Sequence, residues 1–217
     1  QRQMCIRDRP EAMTFDDGGF AVLQRGRAKA ILRYPRFRFR PSHADALHVD
    51  LWESGVNLLR DGGTFSYNTD AGTRTYFSGV RGHNSVQFDD RDQMPRLGRF
   101  LWGGWLKTTA IEPARAGAPA ATVAASYTDA HGASHHRHLA LDDDRLVVTD
   151  RLSGFAAKAV LRWRLQSANW TTIGDHVTDG RSRLRVTADV PIVRSEIGLG
   201  IRIAILRAAD RGAGVRS

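Results

Sequence analysis

Between residues 40 and 93, His43, Asp45, His48, Asp50, Asp61 and His83 are side chains of types that could do chemistry. Neutral imidazoles and carboxylates are ligands for divalent metals. Two histidines with one aspartate form a common three-ligand set for zinc, leaving a fourth place for water. Against this stands an ordinary reading. The stretch "HADALHVDLWES" reads as a half-buried strand, whose solvent side would accept Asp45, Asp50 and Glu53 as surface charges. Asp61 opens "DGGT", where an aspartate commonly caps a turn. Residues two apart share a strand face, so His43 and Asp45 are expected on one side and His48 on the other. His43 and His48 are therefore not expected to serve one site. Spacing alone leaves the metal and surface readings both open.

Other clusters carry weaker signals. In "SHHRH", His135, His136 and His138 follow "DAHGA" and read as an exposed turn at a hairpin tip. "FLWGGWLK" offers Trp102 and Trp105, whose indoles could stack on sugar rings. A spacing of three puts them on opposite faces of a regular strand, so at least one is expected in the core. "EPARAGAPAA", residues 112–121, is expected to be a flexible surface loop or a seam between sheets.

The elements that must position these residues are short. Runs such as "GFAVLQRG", "AKAILRYPRF", "LHVDLWES", "ATVAASYTD", "HRHLALDD", "RLVVTDRL" and "AVLRWRLQ" are rich in Val, Leu, Ile and aromatics and are bounded by turn formers. That pattern predicts an all-β fold, a large antiparallel sandwich. No segment keeps a helical period for three turns. "LALDDDRLVVTDRLSG" predicts a hairpin with Asp142, Asp143 and Asp144 in its turn.

Composition bounds the partners. The 217 residues can bury a large core, and 32 Lys plus Arg against 23 Asp plus Glu give a formal charge of +9. Only Lys29, Lys107 and Lys158 are lysines. Arginine forks grip carboxylates, sulfates and phosphates in pairs, so an acidic polymer is a natural partner. The arginines are spread along the chain and the aromatics do not interleave with a basic strip, so nucleic acid is not expected. A single cysteine, Cys5, excludes an internal disulfide and a cysteine-built zinc site. No apolar run approaches the roughly 18 residues of a membrane span, and no membrane partner is expected. The first ten residues have no periodicity. They are expected to be a non-native or disordered leader, with residues 11–217 forming a single domain truncated at both ends.

The order "HADAL…LLRDGGTFSYN…YFSGVRGHNSVQFDDRDQ" resembles the C-terminal domain of the heparinase II/III-like polysaccharide lyases. The likeness is strong over residues 40–93, looser over 15–39 and 94–165, and absent at both ends. It implies a β-sandwich that packs on an N-terminal α/α toroid, which this chain lacks, with an acidic polysaccharide in the cleft between them. By the same resemblance His43, Asp61 and His83 match metal-binding positions, usually for zinc (Zn2+). Asp45 would then orient an imidazole, with His48 and Asp50 as bystanders. Tyr76 falls where some relatives place a catalytic tyrosine near the substrate. A histidine that the family usually has two residues ahead of the first ligand is replaced by Pro41, leaving Arg38 or Arg40 to bind the substrate carboxylate.

The implied chemistry is β-elimination from a uronic-acid polymer. It would occur in the bacterial periplasm or outside the cell, and this half would be inactive without its toroid. The alternative is a non-catalytic polysaccharide-binding or structural module.

Overall fold

Alternation of apolar and polar residues becomes alternation of burial in the computed structural model, which describes residues 10–197 and 200–206. All but residue 10 of the expected leader lies outside them, as does Cys5. The first sheet runs β1 (Ala12–Phe15), β2 (Phe20–Arg25), β3 (Ala28–Arg33), β4 (Val49–Glu53) and β5 (Val56–Leu59), an antiparallel meander in chain order. In the β2–β3 register Ala21 opposes Leu32 and Leu23 opposes Ala30, and all four are fully buried.

After β5 the chain forms a short helix, α1 (Ala71–Ser78), then β6 (Val86–Phe88) and a small ribbon of β7 (Arg96–Gly98) and β8 (Leu101–Trp102). The helix was not legible as a period. It is eight residues long and has no buried side chain. Its start is marked instead by Asp70, whose carboxylate accepts the Thr73 N–H at 2.8 Å.

The second large sheet comprises β9 (Thr108–Arg115), β10 (Ala121–Thr128), β11 (Ser134–Leu141) and β12 (Leu146–Ser153), and β2 of the first sheet packs against its β9, β10 and β11. The hairpin between β11 and β12 turns where expected. Asp142 closes it by accepting the N–H groups of Asp144 and Arg145 at 2.9 and 2.8 Å. Residues 112–115, expected in a loop, continue β9 and leave only 116–120 as the connection.

A third sheet forms when β13 (Lys158–Arg164) pairs with β6 on one side and with β18 (Gly200–Leu206) on the other, followed by β17 (Ile192–Ile197). Between β13 and β17 lies a three-stranded sheet of β14 (Thr171–Ile173), β15 (His176–Thr178) and β16 (Arg183–Arg185). Leu23, Leu32, Val86, Val123, Leu139 and Trp163 bring one core together from the three larger sheets. Each such side chain, fully buried, contributes about 1.5–3 kcal/mol. Among the described residues no helix is long and apolar enough to cross a membrane.

Candidate metal centre

The segment carrying His43, Asp45 and His48 is not a strand. β4 begins only at Val49, and residues 41–48 form irregular backbone with a turn in which the His48 N–H meets the Asp45 carbonyl at 3.1 Å. Leu47 takes φ 58° there, a left-handed conformation that costs a non-glycine residue energy. This turn cancels the period-two argument that kept His43 and His48 apart.

Dense hydrogen bonding holds the segment in place. Trp102 Nε1 donates to the Ser42 carbonyl at 3.2 Å, and the Ala44 N–H donates to the carbonyl of Ser78 at the end of α1. Gln93 grips Ala46 at both ends, accepting its N–H at 2.9 Å and donating to its carbonyl at 3.0 Å. Of the two tryptophans weighed for sugar stacking, Trp102 is thus buried and structural, whereas Trp105 is part-exposed and bonded to the Trp102 carbonyl.

His83 arrives from the other side. A 3-10 turn over Val80–Gly82 delivers it, and Asp92 steadies that turn by accepting the Val80 N–H at 2.9 Å. Gly62 N–H bonds to the Gly82 carbonyl at 3.0 Å, which brings the Asp61 loop alongside. Asn84, fully buried, then ties the approaches together. Its Nδ2 donates to the carbonyls of Val49 and Arg60, its Oδ1 accepts the Arg164 N–H, and its own N–H donates to His48 Nδ1 at 2.9 Å.

These elements converge on His83, which is fully buried. Its Nδ1 lies 2.8 Å from Asp61 Oδ2. A carboxylate only accepts, so Nδ1 carries the proton and Nε2 presents a lone pair. That Nε2 is buried with no partner, and so is Oδ1 of Asp45, whose other oxygen pairs with Arg33 at 2.9 Å. His43, Asp45 and His83 each bring one ligand atom within 4.8 Å of the others, and the His43 and His83 ring centres are 5.2 Å apart. Burial, and then the neighbouring His83, push the His43 pKa below its ordinary value, which keeps that imidazole neutral near pH 7.

His48, Asp61 and His83 form a second triplet of the same size. His48 is a poor ligand, because Asn84 N–H already uses the lone pair of its Nδ1. In the neutral ring its Nε2 therefore holds the proton, which faces Asp50 at 3.3 Å and Asp61 at 3.4 Å. Burial pushes the Asp61 carboxyl up, but the hydrogen bond from His83, with His48 and the Gly63 N–H behind it, holds it well below the usual carboxylate range.

The structure thus brings His43 and Asp61 each against His83. It gives Asp61 the contact that orients an imidazole and leaves Asp45 with the free oxygen. This donor set of two imidazoles and two carboxylates, with a buried orphan nitrogen on the central ring, fits a divalent metal such as zinc. Carboxylate–histidine–metal relays of this kind are common.

The remaining expected residues lie around the centre. Tyr76, on α1, accepts a hydrogen bond from Arg164 Nη1 at 2.8 Å, with the guanidinium groups of Arg81 and Arg164 over its ring at 5.6 and 5.8 Å. Arg38 and Arg40 line an open groove of about 230 Å³ that also includes Arg33, Arg36, Phe39 and Pro41 and runs to Ser42, next to His43. Arg38 is exposed and paired with Asp17. Sequence reasoning missed Phe65 and Tyr67, four and six residues past Asp61, which are 70% and 69% exposed. Phe65 stacks on Phe77 with ring centres 5.3 Å apart. The signal was present in "TFSYN", where aromatics sit in a polar loop with no strand to bury them.

The model of the heparinase II/III-like C-terminal family matches residues 7–211. The chain belongs to this family. The match reaches further toward both ends than the motifs over 40–93 suggested. No curated protein sequence matches the chain significantly.

Among solved structures, this heparinase II/III-like domain is similar to a heparinase III gene product with methylated lysines. That pair shows 14% identity and a TM-score of 0.71, over 90% of this chain and 33% of the other. It is also similar to heparan sulfate lyase HepC from Pedobacter heparinus, with 16% identity and a TM-score of 0.67, over 90% of this chain and 34% of that one. A crystal structure of heparinase III gives 17%, a TM-score of 0.65 and coverages of 92% and 35%. The domain therefore spans about a third of the length of these structures, and the likeness establishes the expected all-β fold.

Proposed function

We propose that this domain is the metal-bearing wall of a polysaccharide lyase that cleaves an acidic, uronate-containing polymer by β-elimination. One observation carries the reading: in a chain of this family, His83 is clamped at Nδ1 by Asp61 while its buried Nε2 is left unpartnered beside His43 and Asp45. His43, His83 and Asp45 would hold a zinc ion, with Asp61 fixing the ring of His83. A bound divalent cation would supply positive charge and rigidity at the wall of the cleft.

The chain's own residues account for recognition of the polymer. Elimination removes the proton α to the uronate carboxylate, and the charge that develops on that carboxylate must be neutralised. Arg40, exposed in the groove lined as far as Ser42, and Arg38, once released from Asp17, present forks suited to carboxylate or sulfate oxygens. Neither can be the base, since a guanidinium stays protonated. Exposed Phe65 and Tyr67 offer ring faces for sugars. Tyr76 is a phenol able to give or take a proton, and Arg164 fixes its oxygen.

Because this domain corresponds to only about a third of the length of the similar structures, full catalysis is assigned to the domain together with an α/α toroid of the parent protein. An acidic polysaccharide and that toroid are the partners, and the bacterial periplasm or the extracellular space is the location. The test is ultraviolet absorbance of the unsaturated product. The parent protein is expected to generate it from uronate polymers, and the 217-residue chain is expected to bind them without turnover. Binding by the parent with no elimination from any uronate polymer would support the non-catalytic alternative instead.

A further inference from the structure

The histidine cluster of residues 135–138, expected at an exposed turn, lies instead inside β11. Burial alternates along that strand, so His135 and Arg137 are fully buried while His136 and His138 face outward. A completely buried arginine is unusual and demands partners. Arg137 has them on two sides. Its Nε and Nη2 grip both oxygens of Asp150 at 2.7 and 2.9 Å, and the strand register places Asp150 of β12 directly opposite. Its Nη1 donates to the carbonyls of Leu47, at 2.5 Å, and Asn84, at 2.7 Å, and Trp163 lies under the guanidinium at 5.1 Å.

Those two carbonyls identify the role. Leu47 is the left-handed residue of the turn that follows His43 and Asp45, and Asn84 directly follows His83. One nitrogen of Arg137 therefore joins the two irregular segments that carry the candidate ligands, although Arg137 belongs to a different sheet. We infer that Arg137, held by Asp150, is a positioning residue that sets the distance between the His43–Asp45 segment and His83, and so tunes metal affinity from outside the centre. Only the arginine fork can bridge two carbonyls with one nitrogen while binding a carboxylate with the others; a lysine ammonium offers a single point.

This inference rests on the proposed metal centre, and its test separates the two. Zinc affinity of the purified chain would be measured by competition with a chromophoric chelator for wild type, R137K and a control, L139A. Leu139 is buried on the same face of the same strand, two residues on. Histidine side-chain nitrogen spectra would be recorded on the zinc-free proteins. R137K and L139A are both expected to lower the melting temperature, but only R137K should weaken zinc, by up to about 10-fold, the low end of the effect of removing a direct hydrogen-bond partner of a ligand, because Arg137 holds the backbone beside the ligands and not the ligands themselves. Only R137K should shift the Nδ1 and Nε2 signals of His83.

Equal zinc loss in L139A, or unchanged affinity in R137K, would overturn the positioning role. If wild type takes up no zinc, the metal reading fails, and the positioning role stands or falls on the His83 spectrum. Should R137K not fold, D150N replaces it, since it loosens the same clamp, and the same shifts are expected.

Discussion

His83 Nδ1 and Asp61 Oδ2 are 2.8 Å apart, and the other nitrogen of the same ring is buried without a partner. A lone buried imidazole nitrogen is costly unless something meets it. The pairing also sets the ring's tautomer, so the free nitrogen is the one able to ligate.

This assigns different roles to the two carboxylates, and amide substitutions separate them. Asp61→Asn keeps an oxygen that can still accept the Nδ1 proton, so the protein should retain zinc with affinity lowered about 10- to 100-fold. Asp45→Asn replaces a charged oxygen that has no other partner, and should cost more. Isothermal titration of both variants checks the order. A reversed order would make Asp61 the direct ligand, as the family resemblance alone implies.

The contact depends on the close approach of Gly62 to the carbonyl of Gly82, which precedes His83. A Cβ on Gly62 would lie 2.5 Å from the Gly82 carbonyl oxygen. Gly62→Ala should therefore push the Asp61 loop off His83 and destabilise the fold by about 1–3 kcal/mol, the scale of overpacking. Gly26→Ala, where no atom lies within 4 Å, should leave zinc affinity unchanged whatever it does to stability. Denaturant melts paired with zinc titrations would expose a wild-type affinity in Gly62→Ala, which would contradict this.

Stability should fall in mild acid. Burial pushes the His135 pKa below its ordinary value despite the Asp150 carboxylate at 2.8 Å, so the folded protein keeps this ring neutral. Unfolded chains take up that proton below about pH 6.5. More protons on the unfolded state means stability is lost as pH falls from about 6.5 toward the lower folded value, by about 1.4 kcal/mol per pH unit for one group. The Asp150 carboxyl, raised by burial but held well below its usual range by Arg137 and His135, extends the loss at still lower pH, beneath the ordinary aspartate value. Urea unfolding with chelator present at pH 7, 6 and 5 reads this; equal stability at the three would contradict it.

Sandwich architecture was legible because solvent-facing and core-facing residues alternate along β2, β3 and β11 as they do in the sequence. The hairpin at Asp142 was legible for the same local reason. What period-two reasoning could not give was the neighbourhood of His43 and His48, where Leu47 adopts a left-handed turn that Arg137 and Gln93 stabilise from far along the chain. Nor could it tell that "SHHRH" lies within a strand and turns His135 and Arg137 into the interior. An arginine on a buried face looks like a solvent residue until its partner, Asp150, is known to sit across the ladder. Helix α1 escaped because its eight residues bury nothing and leave no apolar stripe. The ligand candidates were found through their resemblance to a family motif, whereas Asp45's free oxygen is visible only in three dimensions.

Metal content decides the central claim. The chain would be purified without chelator, equilibrated with zinc, dialysed and analysed by plasma mass spectrometry, with His43→Ala, His83→Ala and His136→Ala alongside. About one zinc per wild-type chain is expected, as a three-residue ligand set holds a single ion. His136→Ala should retain it, because that ring points out of β11 and bonds Ser126 at 2.8 Å. His43→Ala and His83→Ala should lose it. Wild type free of zinc after dialysis, or His83→Ala holding as much as wild type, would contradict the account.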